Sequence, residues 1–448
     1  MAVKTSKSLR NQVMYSIYVR NHTAEGTFAA IEPDLERIKA LGTDIIWFMP
    51  IHPIGEKNKK GSLGCPYANR DYRAVNPEYG TMEEFKHLVN EIHKLGMKCI
   101  IDVVYNHTSP DSVLVAEHPE YFFKKPDGSF GNRVGDWTDV VDLDYSCKEL
   151  WEYQIESLKM WAEIVDGFRC DVAPLVPLSF WKMARESVEE IRPGAIWLAE
   201  TIHAGFLTYL RSRGMEAYSD GEIYQVFDME YPYEIWDSYI DYMNGKGNIA
   251  RIVEDLNREE SAFPDNYIKI RCLENHDQPR VCSNISSMEE LRNLTAFSYF
   301  QKGMAFIYAG QEYQNTNCPS LFEKDVITRD ENKNISVFLA KLADIKRKEI
   351  FASGVFSAKA FEKENVIVAK YVDSDISMND NIKAYGIFAM RGSEAYNKGI
   401  TLACELPDGQ YVNAIDDSDI FVRGGKVIVG REPMIIIVGE AESDENTE

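Results

Sequence analysis

The sequence predicts an α/β protein built on a (β/α)8 TIM barrel, with a short insertion after the third strand and a C-terminal antiparallel β-sandwich domain. Three observations favour this fold. Amphipathic helical segments alternate with short apolar runs through most of the first 350 residues. Turn-rich sequence interrupts this alternation at residues 106–147, and short strands of alternating polarity replace it from about residue 354.

The repeating unit is clearest at residues 81–105. Thr81 and Glu84 form a capping-box pattern that starts a helix, and Gly96 ends it. An almost continuous apolar run follows at 97–105, which is typical of a strand buried on both faces of a parallel sheet. A helix followed by a buried strand is therefore the unit from which the barrel is predicted.

The same unit recurs along the chain and gives eight candidate strands. Between the first start at 14 and the last at 305, the seven intervals average roughly 42 residues, which suits βα units that carry loops. A doubly wound open sheet is the competing architecture, but no G-x-G-x-x-G motif opens a helix after the first strand. The candidate strands are residues 14–19, 44–49, 97–105, 165–171, 196–200, 223–227, 267–273 and 305–308.

These patterns also predict how the chain is divided into domains. We expect the barrel to comprise residues 1–105 and 148–350, with a small inserted domain at 106–147 between its two parts. An all-β domain is expected at 351–439. Residues 440–448 contain five acids and no base, so a disordered acidic tail is predicted there.

Composition and charge exclude several classes of protein. Hydrophobic residues make up 45% of the chain and charged residues 27%, which is typical of a globular protein. A net charge of -22 repels nucleic acid, so no nucleic-acid partner is expected. No run of about 18 apolar residues and no signal-peptide pattern occurs, so we expect no membrane partner and a cytoplasmic location. The eight scattered cysteines form no C-x-x-C pair and are expected to be free thiols.

Polar side chains stand at the carboxyl ends of four predicted strands, which is where barrel enzymes carry their reacting groups. They occur at 102–107, 169–171, 200 and 274–277. A single acid at the end of a strand is more often a helix cap or part of a structural ion pair. Four such positions together favour an active site.

The residue types at these positions suggest acid–base chemistry on a glycoside. Arg169 and Asp171 share one face of a strand, so the guanidinium favours an ionised carboxylate that acts as a nucleophile. Glu200 follows an apolar run that raises the pKa of its carboxyl group, which suits a proton donor. Asp277 supplies a third carboxylate for an oxocarbenium-like transition state or for sugar hydroxyls. The nearby histidines lack the H-x-x-x-H spacing of zinc ligands.

These motifs resemble those of the α-amylase superfamily of retaining glycoside hydrolases. The resemblance rests on Asp-Val-Val-Tyr-Asn-His at 102–107, Gly-Phe-Arg-Cys-Asp at 167–171, Glu200, and Glu-Asn-His-Asp at 274–277, which occur in the family's order. Further matches extend it over about residues 13–312. The resemblance implies a catalytic (β/α)8 barrel with a C-terminal β domain, in agreement with the predicted fold.

The resemblance implies a catalytic role for three carboxylates. Asp171 would be the nucleophile that forms the glycosyl ester, and Glu200 would act first as the acid and then as the base. Asp277 would stabilise the transition state by binding the 2- and 3-hydroxyls. Retention of anomeric configuration implies that the carboxyl groups of Asp171 and Glu200 lie roughly 5–5.5 Å apart.

Five further residues are implied to bind the substrate. Arg169 would position the nucleophile. Asp102 begins the motif at 102–107 and is assigned to the substrate-binding residues for that reason. His107 and His276 would bind hydroxyls of the sugar at the cleaved bond, and Tyr67 would stack on that sugar. The residues alone leave open that Tyr67 is only a packing aromatic at the barrel rim.

No cofactor is required by this chemistry, but a calcium site is left open. Asn106 matches the family's calcium asparagine, which implies an oxygen-ligand site there. The chain departs from the family after Asp171: it reads Val-Ala-Pro-Leu-Val-Pro at 172–177, where many α-amylases carry a Lys-His pair that serves the aglycone subsites and supplies a calcium ligand. The alternative for Asn106 is that it caps its own loop.

The leading hypothesis is hydrolysis of internal α-1,4-glucosidic bonds in starch-derived glucans or malto-oligosaccharides, which would be the partner molecules. Two alternatives use the same scaffold: a 4-α-glucanotransferase, in which a sugar hydroxyl intercepts the intermediate, and an α-1,6-acting glucosidase. A different class is a non-catalytic glucan-binding or assembly module. The presence of Asp171, Glu200 and Asp277 together favours an enzyme.

Overall fold

The structure is a computed structural model that describes residues 5–134, 137–285, 287–373 and 381–439. The acidic tail predicted at 440–448 lies outside the described residues. The described part contains an eight-stranded parallel sheet, two four-stranded antiparallel sheets and a small two-stranded sheet. The fold class is therefore the one that the sequence predicts.

The eight-stranded sheet closes into a barrel. The first and last strands pair in parallel, with Met14 opposite Phe306, and a single parallel bridge between Glu230 and Lys269 joins the two remaining edges. In chain order, with β4 and β5 belonging to the insertion, the strands are β1 (Val13–Ile17), β2 (Ile45–Phe48), β3 (Lys98–Val103), β4 (His107–Thr108), β5 (Val141–Asp142), β6 (Gly167–Cys170), β7 (Ile196–Ala199), β8 (Met229–Glu230), β9 (Ile270–Arg271) and β10 (Met304–Tyr308).

The barrel strands are buried because both of their faces are covered. All four residues of β2 are buried, as the continuous apolar run predicts. Gly167 begins β6 at a point where a Cβ atom would lie 2.1 Å from the carbonyl oxygen of Ile196. Only glycine allows the neighbouring backbones to approach so closely, so this position fixes the packing of β6 on β7.

Helices cover the outside of the barrel, and α4 (Met82–Lys94) shows why they form. The predicted capping box is confirmed: the Thr81 hydroxyl accepts the Glu84 N–H, and the Glu84 carboxylate accepts the Thr81 N–H. Its apolar face, including Phe85 and Leu88, is buried, and each such side chain contributes about 1.5–3 kcal/mol. The other helices are α1 (Val19–His22), α2 (Phe28–Ile31), α3 (Leu35–Ala40), α5 (Val113–Glu117), α6 (Lys148–Ala162), α7 (Leu178–Ile191), α8 (Ala204–Ser212), α9 (Asp220–Ile223), α10 (Trp236–Met243), α11 (Ile249–Ala262), α12 (Val281–Asn284), α13 (Met288–Phe300), α14 (Ser336–Lys346) and α15 (Ile350–Ser353).

The sixth strand was predicted at the wrong place. Residues 223–227 do not form a strand; α9 ends at Ile223, and the strand β8 begins at Met229. Ser219 and Glu222 form a capping box that starts a helical turn here. A short apolar run is equally compatible with a buried strand and with a buried turn of helix. Here the capping box favours the helix.

A β-sandwich follows the barrel, as predicted. Residues from both of its sheets share one apolar core, for example Ile387 and Val427. The sandwich is fixed to the barrel through α13, where the rings of Phe297 and Phe388 lie 5.3 Å apart. One sheet contains β11 (Val355–Phe361), β12 (Val366–Val372), β13 (Ile382–Ala389) and β18 (Met434–Ile437); the other contains β14 (Ile400–Ala403), β15 (Gly409–Val412), β16 (Asp419–Val422) and β17 (Lys426–Val429).

The turn-rich segment after β3 folds back onto the barrel. Its strands β4 and β5 pair in an antiparallel arrangement, with His107 opposite Asp142. All eight cysteines of the chain are free thiols. Within the described ranges, no helix has the length and apolar character needed to cross a membrane.

Candidate active site

Arg169 is the centre of a buried cluster of carboxylates at the carboxyl ends of the barrel strands. It lies opposite Asp102 because β6 pairs with β3 in that register. Its guanidinium nitrogens lie 3.0 Å from Asp102, 2.9 Å from Asp171 and 3.1 Å from Glu200. Asp171 follows β6 and Glu200 follows β7, so the pairing of these two strands brings both acids to one cation.

The environment gives the two acids different pKa values. Burial raises the pKa of Asp171 to about 6, against the attraction of Arg169. Burial raises the pKa of Glu200 to about 8, also against Arg169, and the charges of Asp171 and Asp277 act in the same direction as burial. At neutral pH Asp171 is therefore mainly ionised and Glu200 mainly protonated. This difference suits a nucleophile and a proton donor.

A strained backbone position links the two acids. Val172, directly after Asp171, has φ 34° and ψ 45°, a left-handed conformation that β-branched residues rarely adopt. In this conformation its N–H donates a hydrogen bond to Glu200 Oε2 (2.7 Å). Strain of this kind persists only where surrounding contacts enforce it, and here it orients the carboxyl group of Glu200.

Asp277 and His276 form a second ion pair beside the cluster. His276 Nε2 lies 3.0 Å from Asp277 Oδ2 and 2.8 Å from the hydroxyl oxygen of Tyr67, which donates to Asp102 (3.0 Å). Burial alone would raise the pKa of Asp277, but the pairing with His276 outweighs burial and lowers this pKa below its usual value. The Tyr67 ring stacks on His276 with centroids 5.3 Å apart. Asp277 is thus an ionised carboxylate at the mouth of the site.

His107 approaches Asp171 from the insertion side. Its Nε2 lies 3.9 Å from Asp171 Oδ2, and its ring centroid lies 5.2 Å from that of Trp137. Burial lowers the pKa of His107 to about 4, so the imidazole is neutral at physiological pH. A neutral imidazole beside Asp171 is suited to hydrogen bonding with a hydroxyl group of a ligand.

These groups open into one cavity of about 240 Å³. The cavity contains Asp171 and Glu200, and the sequence-predicted residues Tyr67, His107, His276 and Asp277 line it, while Asp102 and Arg169 form the charged layer behind Asp171 and Tyr67. The sequence analysis did not identify several of the lining residues. Of these, only Trp137 carries a signal in the sequence, which is an aromatic side chain in a turn-rich segment. The residues missed are Lys60, Cys65, Trp137, Asp139, Val140, Val172, Leu321 and Phe322.

A larger cavity of about 530 Å³ lies at the opposite end of the barrel. Lys98 and Ile196 line it at the starts of β3 and β7. Barrel enzymes carry their reacting groups at the carboxyl ends of the strands, and the cluster around Arg169 lies there. We therefore assign the active site to the smaller cavity.

The surroundings of Asn106 supply part of a calcium donor set. Asp142 lines the same cavity as Asn106, and its Oδ1 is buried without a hydrogen-bond partner. The other oxygen, Asp142 Oδ2, accepts the backbone N–H of Arg133 (2.7 Å). The Arg133 guanidinium lies 3.6 Å from Asp142 and 3.7 Å from Asp144, so a cationic side chain already faces these acids. Calcium takes six to eight oxygen ligands, and among the described residues no group of three or more His, Cys, Asp or Glu could hold a metal ion.

Comparison with protein families covers almost the whole chain. The model of the family "Alpha amylase, catalytic domain" matches residues 9–131 and 134–357. The model of the "Bacterial Alpha amylase C-terminal domain" matches residues 357–436.

Solved structures and curated proteins add more specific similarities. An alpha-amylase from Lactobacillus plantarum is 43% identical to this chain with a TM-score of 0.91, and the match covers 96% of this chain and 99% of that one. A noncanonic maltogenic alpha-amylase from Thermotoga neapolitana is 33% identical with a TM-score of 0.83 and the same coverage of both chains, 96% and 99%. An alpha-1,4-glucan:maltose-1-phosphate maltosyltransferase from Rhodospirillum rubrum is 35% identical over 211 residues, which are 42% of this chain but only 30% of that protein.

Proposed function

The chain belongs to the alpha-amylase family, and on this basis we propose that it is a retaining glycoside hydrolase that cleaves α-1,4-glucosidic bonds of starch-derived glucans and malto-oligosaccharides. The observation that carries the proposal is the arrangement of Asp171 and Glu200 on one guanidinium with pKa values of about 6 and about 8. A retaining mechanism needs two close carboxyl groups in opposite protonation states.

The first step forms a glycosyl ester. An Asp171 oxygen attacks the anomeric carbon as the bond from this carbon to the leaving oxygen breaks. Glu200 gives its proton to that oxygen, so the leaving chain departs as a neutral alcohol and Glu200 becomes a carboxylate. Arg169 remains paired with both acids, which compensates the negative charge that passes from Asp171 to Glu200.

The second step releases the sugar and restores the site. The Glu200 carboxylate takes a proton from water, and the water oxygen attacks the anomeric carbon while its bond to Asp171 breaks. In both steps positive charge develops on the sugar ring, and the ionised Asp277 stabilises it. The N–H of Val172 stabilises Glu200 while that residue is charged.

Glucanosyl transfer is the second candidate function, because curated relatives such as the Rhodospirillum rubrum protein are maltosyltransferases. A sugar hydroxyl then replaces water in the second step, and the same residues act. Incubation with maltotriose or maltopentaose, followed by chromatography, distinguishes the two. Hydrolysis gives only shorter sugars, whereas products longer than the substrate would refute simple hydrolysis.

A matched variant separates catalysis from mere glucan binding. Asp171→Asn removes the nucleophile with little change of shape, so it is expected to bind maltotriose but to lose turnover. The same panel of α-1,4- and α-1,6-linked glucans identifies the preferred linkage. Equal turnover by the wild-type protein and Asp171→Asn would contradict the proposed mechanism.

A further inference from the structure

Three segments from distant parts of the sequence close one side of the catalytic cavity. They are residues 60–64 in the loop after β2, 137–140 in the insertion and 321–323 in the loop after β10, and we call them together the rim wall. Each segment contributes residues to the cavity lining. The wall is therefore part of the space that a substrate occupies.

Hydrogen bonds make the first and third segments of the rim wall one unit. The Leu63 N–H donates to the carbonyl oxygen of Phe322 (3.1 Å). The side chain of Arg20, which is fully buried, donates to the carbonyl oxygens of Leu63 (3.2 Å) and Leu321 (3.1 Å). Charged donors strengthen such bonds, so this part of the wall is held rigidly.

An ion pair joins this unit to the insertion. Lys60 Nζ lies 2.9 Å from Asp139 Oδ1, and both residues line the cavity. The Asp139 side chain is only 5% exposed, whereas that of Lys60 is 39% exposed. Without Lys60 the buried carboxylate would lose its neighbouring cation, so the pair holds the insertion against the loop after β2.

The rim wall contacts the site on the side of Asp171. Trp137 packs on His107, which faces Asp171. Glu200 is instead held by Arg169 and the backbone of Val172. Because Glu200 protonates the leaving oxygen, the leaving chain extends on its side. The part of the glucan towards its non-reducing end then points to the rim wall.

The cavity that the rim wall lines is small. The cavity of about 240 Å³ is smaller than the roughly 300–1,000 Å³ that is usual for ligand pockets. The end of a glucan chain needs less of this space than a chain that continues past the wall.

We propose that the Lys60–Asp139 ion pair makes the site act on chain ends, so that a glucan binds with its non-reducing end against the rim wall and the wall sets the length of the product. This inference rests on the proposed function. It replaces the internal cleavage expected from the sequence with cleavage near the non-reducing end. Lys60 and Asp139 determine specificity in this view and take no part in bond breaking.

Two p-nitrophenyl malto-oligosaccharides of equal length test this inference, one of them blocked at its non-reducing end by a 4,6-ethylidene group. The wild-type protein is expected to cleave the free substrate at least about tenfold faster in kcat/KM, which corresponds to ~1.4 kcal/mol. Lys60→Ala and Asp139→Asn each open the wall, so each should raise kcat/KM for the blocked substrate by roughly tenfold. The readout is the ratio of kcat/KM for the free substrate to kcat/KM for the blocked substrate, which should fall in both variants.

Lys59→Ala is the matched control, because Lys59 pairs with the exposed Glu56 (2.6 Å) next to the wall. It should leave the ratio of the two rates unchanged. The double variant of Lys60 and Asp139 should gain no more than the better single variant, since both remove one interaction. Equal cleavage of both substrates by the wild-type protein, or an unchanged ratio in the Lys60 and Asp139 variants, would overturn the inference while the proposed function stands. Absence of cleavage of any α-glucan would overturn both.

Discussion

The different pKa values of Asp171 and Glu200 predict how activity depends on pH. The proposed mechanism requires Asp171 ionised and Glu200 protonated, and burial raises their pKa values to about 6 and about 8. A plot of kcat/KM for maltotriose against pH should therefore be bell-shaped. The value of kcat/KM should be about 80% of its pH-independent limit at pH 7, and about 10% of that limit at pH 5 and at pH 9. The acidic limb reflects protonation of the nucleophile, and the basic limb reflects loss of the donor's proton.

Glu200→Gln tests this assignment because glutamine has nearly the same shape but does not titrate. We expect kcat/KM for maltotriose to fall by roughly 10²–10⁴, the usual contribution of general acid catalysis. The basic limb should disappear while the acidic limb remains. Maltosyl fluoride needs no proton on its leaving group, so its first step should be slowed far less. Loss of the base in the second step should then produce an initial burst of fluoride.

Glu156→Gln is the control for this experiment, since the Glu156 side chain is 61% exposed and pairs with Lys159 at the surface (2.9 Å). Both pH limbs and both substrates should behave as in the wild-type protein. The reasoning is refuted if Glu200→Gln retains the basic limb, or if it slows the fluoride burst as much as the cleavage of maltotriose.

Further predictions concern the cations of the structure. Arg169→Lys weakens the attraction that keeps the pKa of Asp171 from rising further on burial, so the acidic limb of the pH profile should move to higher pH. An unchanged acidic limb would contradict the role of Arg169. Lys269→Met leaves the buried Glu230 and the partly buried Asp220 and Glu234 without their cation and should cost about 3–5 kcal/mol in urea unfolding. A loss below about 1 kcal/mol would contradict this account. Because Arg133 already faces the acids near Asn106, EDTA should change Tm by less than about 2 °C; a larger fall that calcium reverses would identify a calcium site.

The sequence was sufficient for the barrel and for the residues at its centre. Periodicity locates a strand such as β3 well, because its buried faces require an unbroken apolar run. Strand ends in a barrel converge at one face, so Asp171 and Glu200 were expected to meet although they lie 29 positions apart in the chain. Elements whose environment is dictated by the fold class are predictable in this way.

Features that depend on contacts between loops were not predictable. Lys60 and Asp139 form an ion pair within the rim wall, yet each is an ordinary charged residue in a turn-rich segment. The misplaced sixth strand has a similar cause, since the capping of α9 outweighs the apolar character of residues 223–227. The pKa of Asp171 also differs from a simple expectation, because the effect of burial exceeds that of Arg169.

The bridge between Glu230 and Lys269 is a narrow seam in the barrel. A closed barrel has no free strand edges, but here the strands on both sides, β8 and β9, have only two residues each. The Lys269 side chain reinforces the seam by pairing with Asp220, Glu230 and Glu234. If these contacts loosen, two strand edges become available to other chains, which is the usual start of aggregation. We therefore expect the cluster around Lys269 to protect these edges from aggregation, and amide hydrogen exchange should be fastest among the barrel strands at this seam.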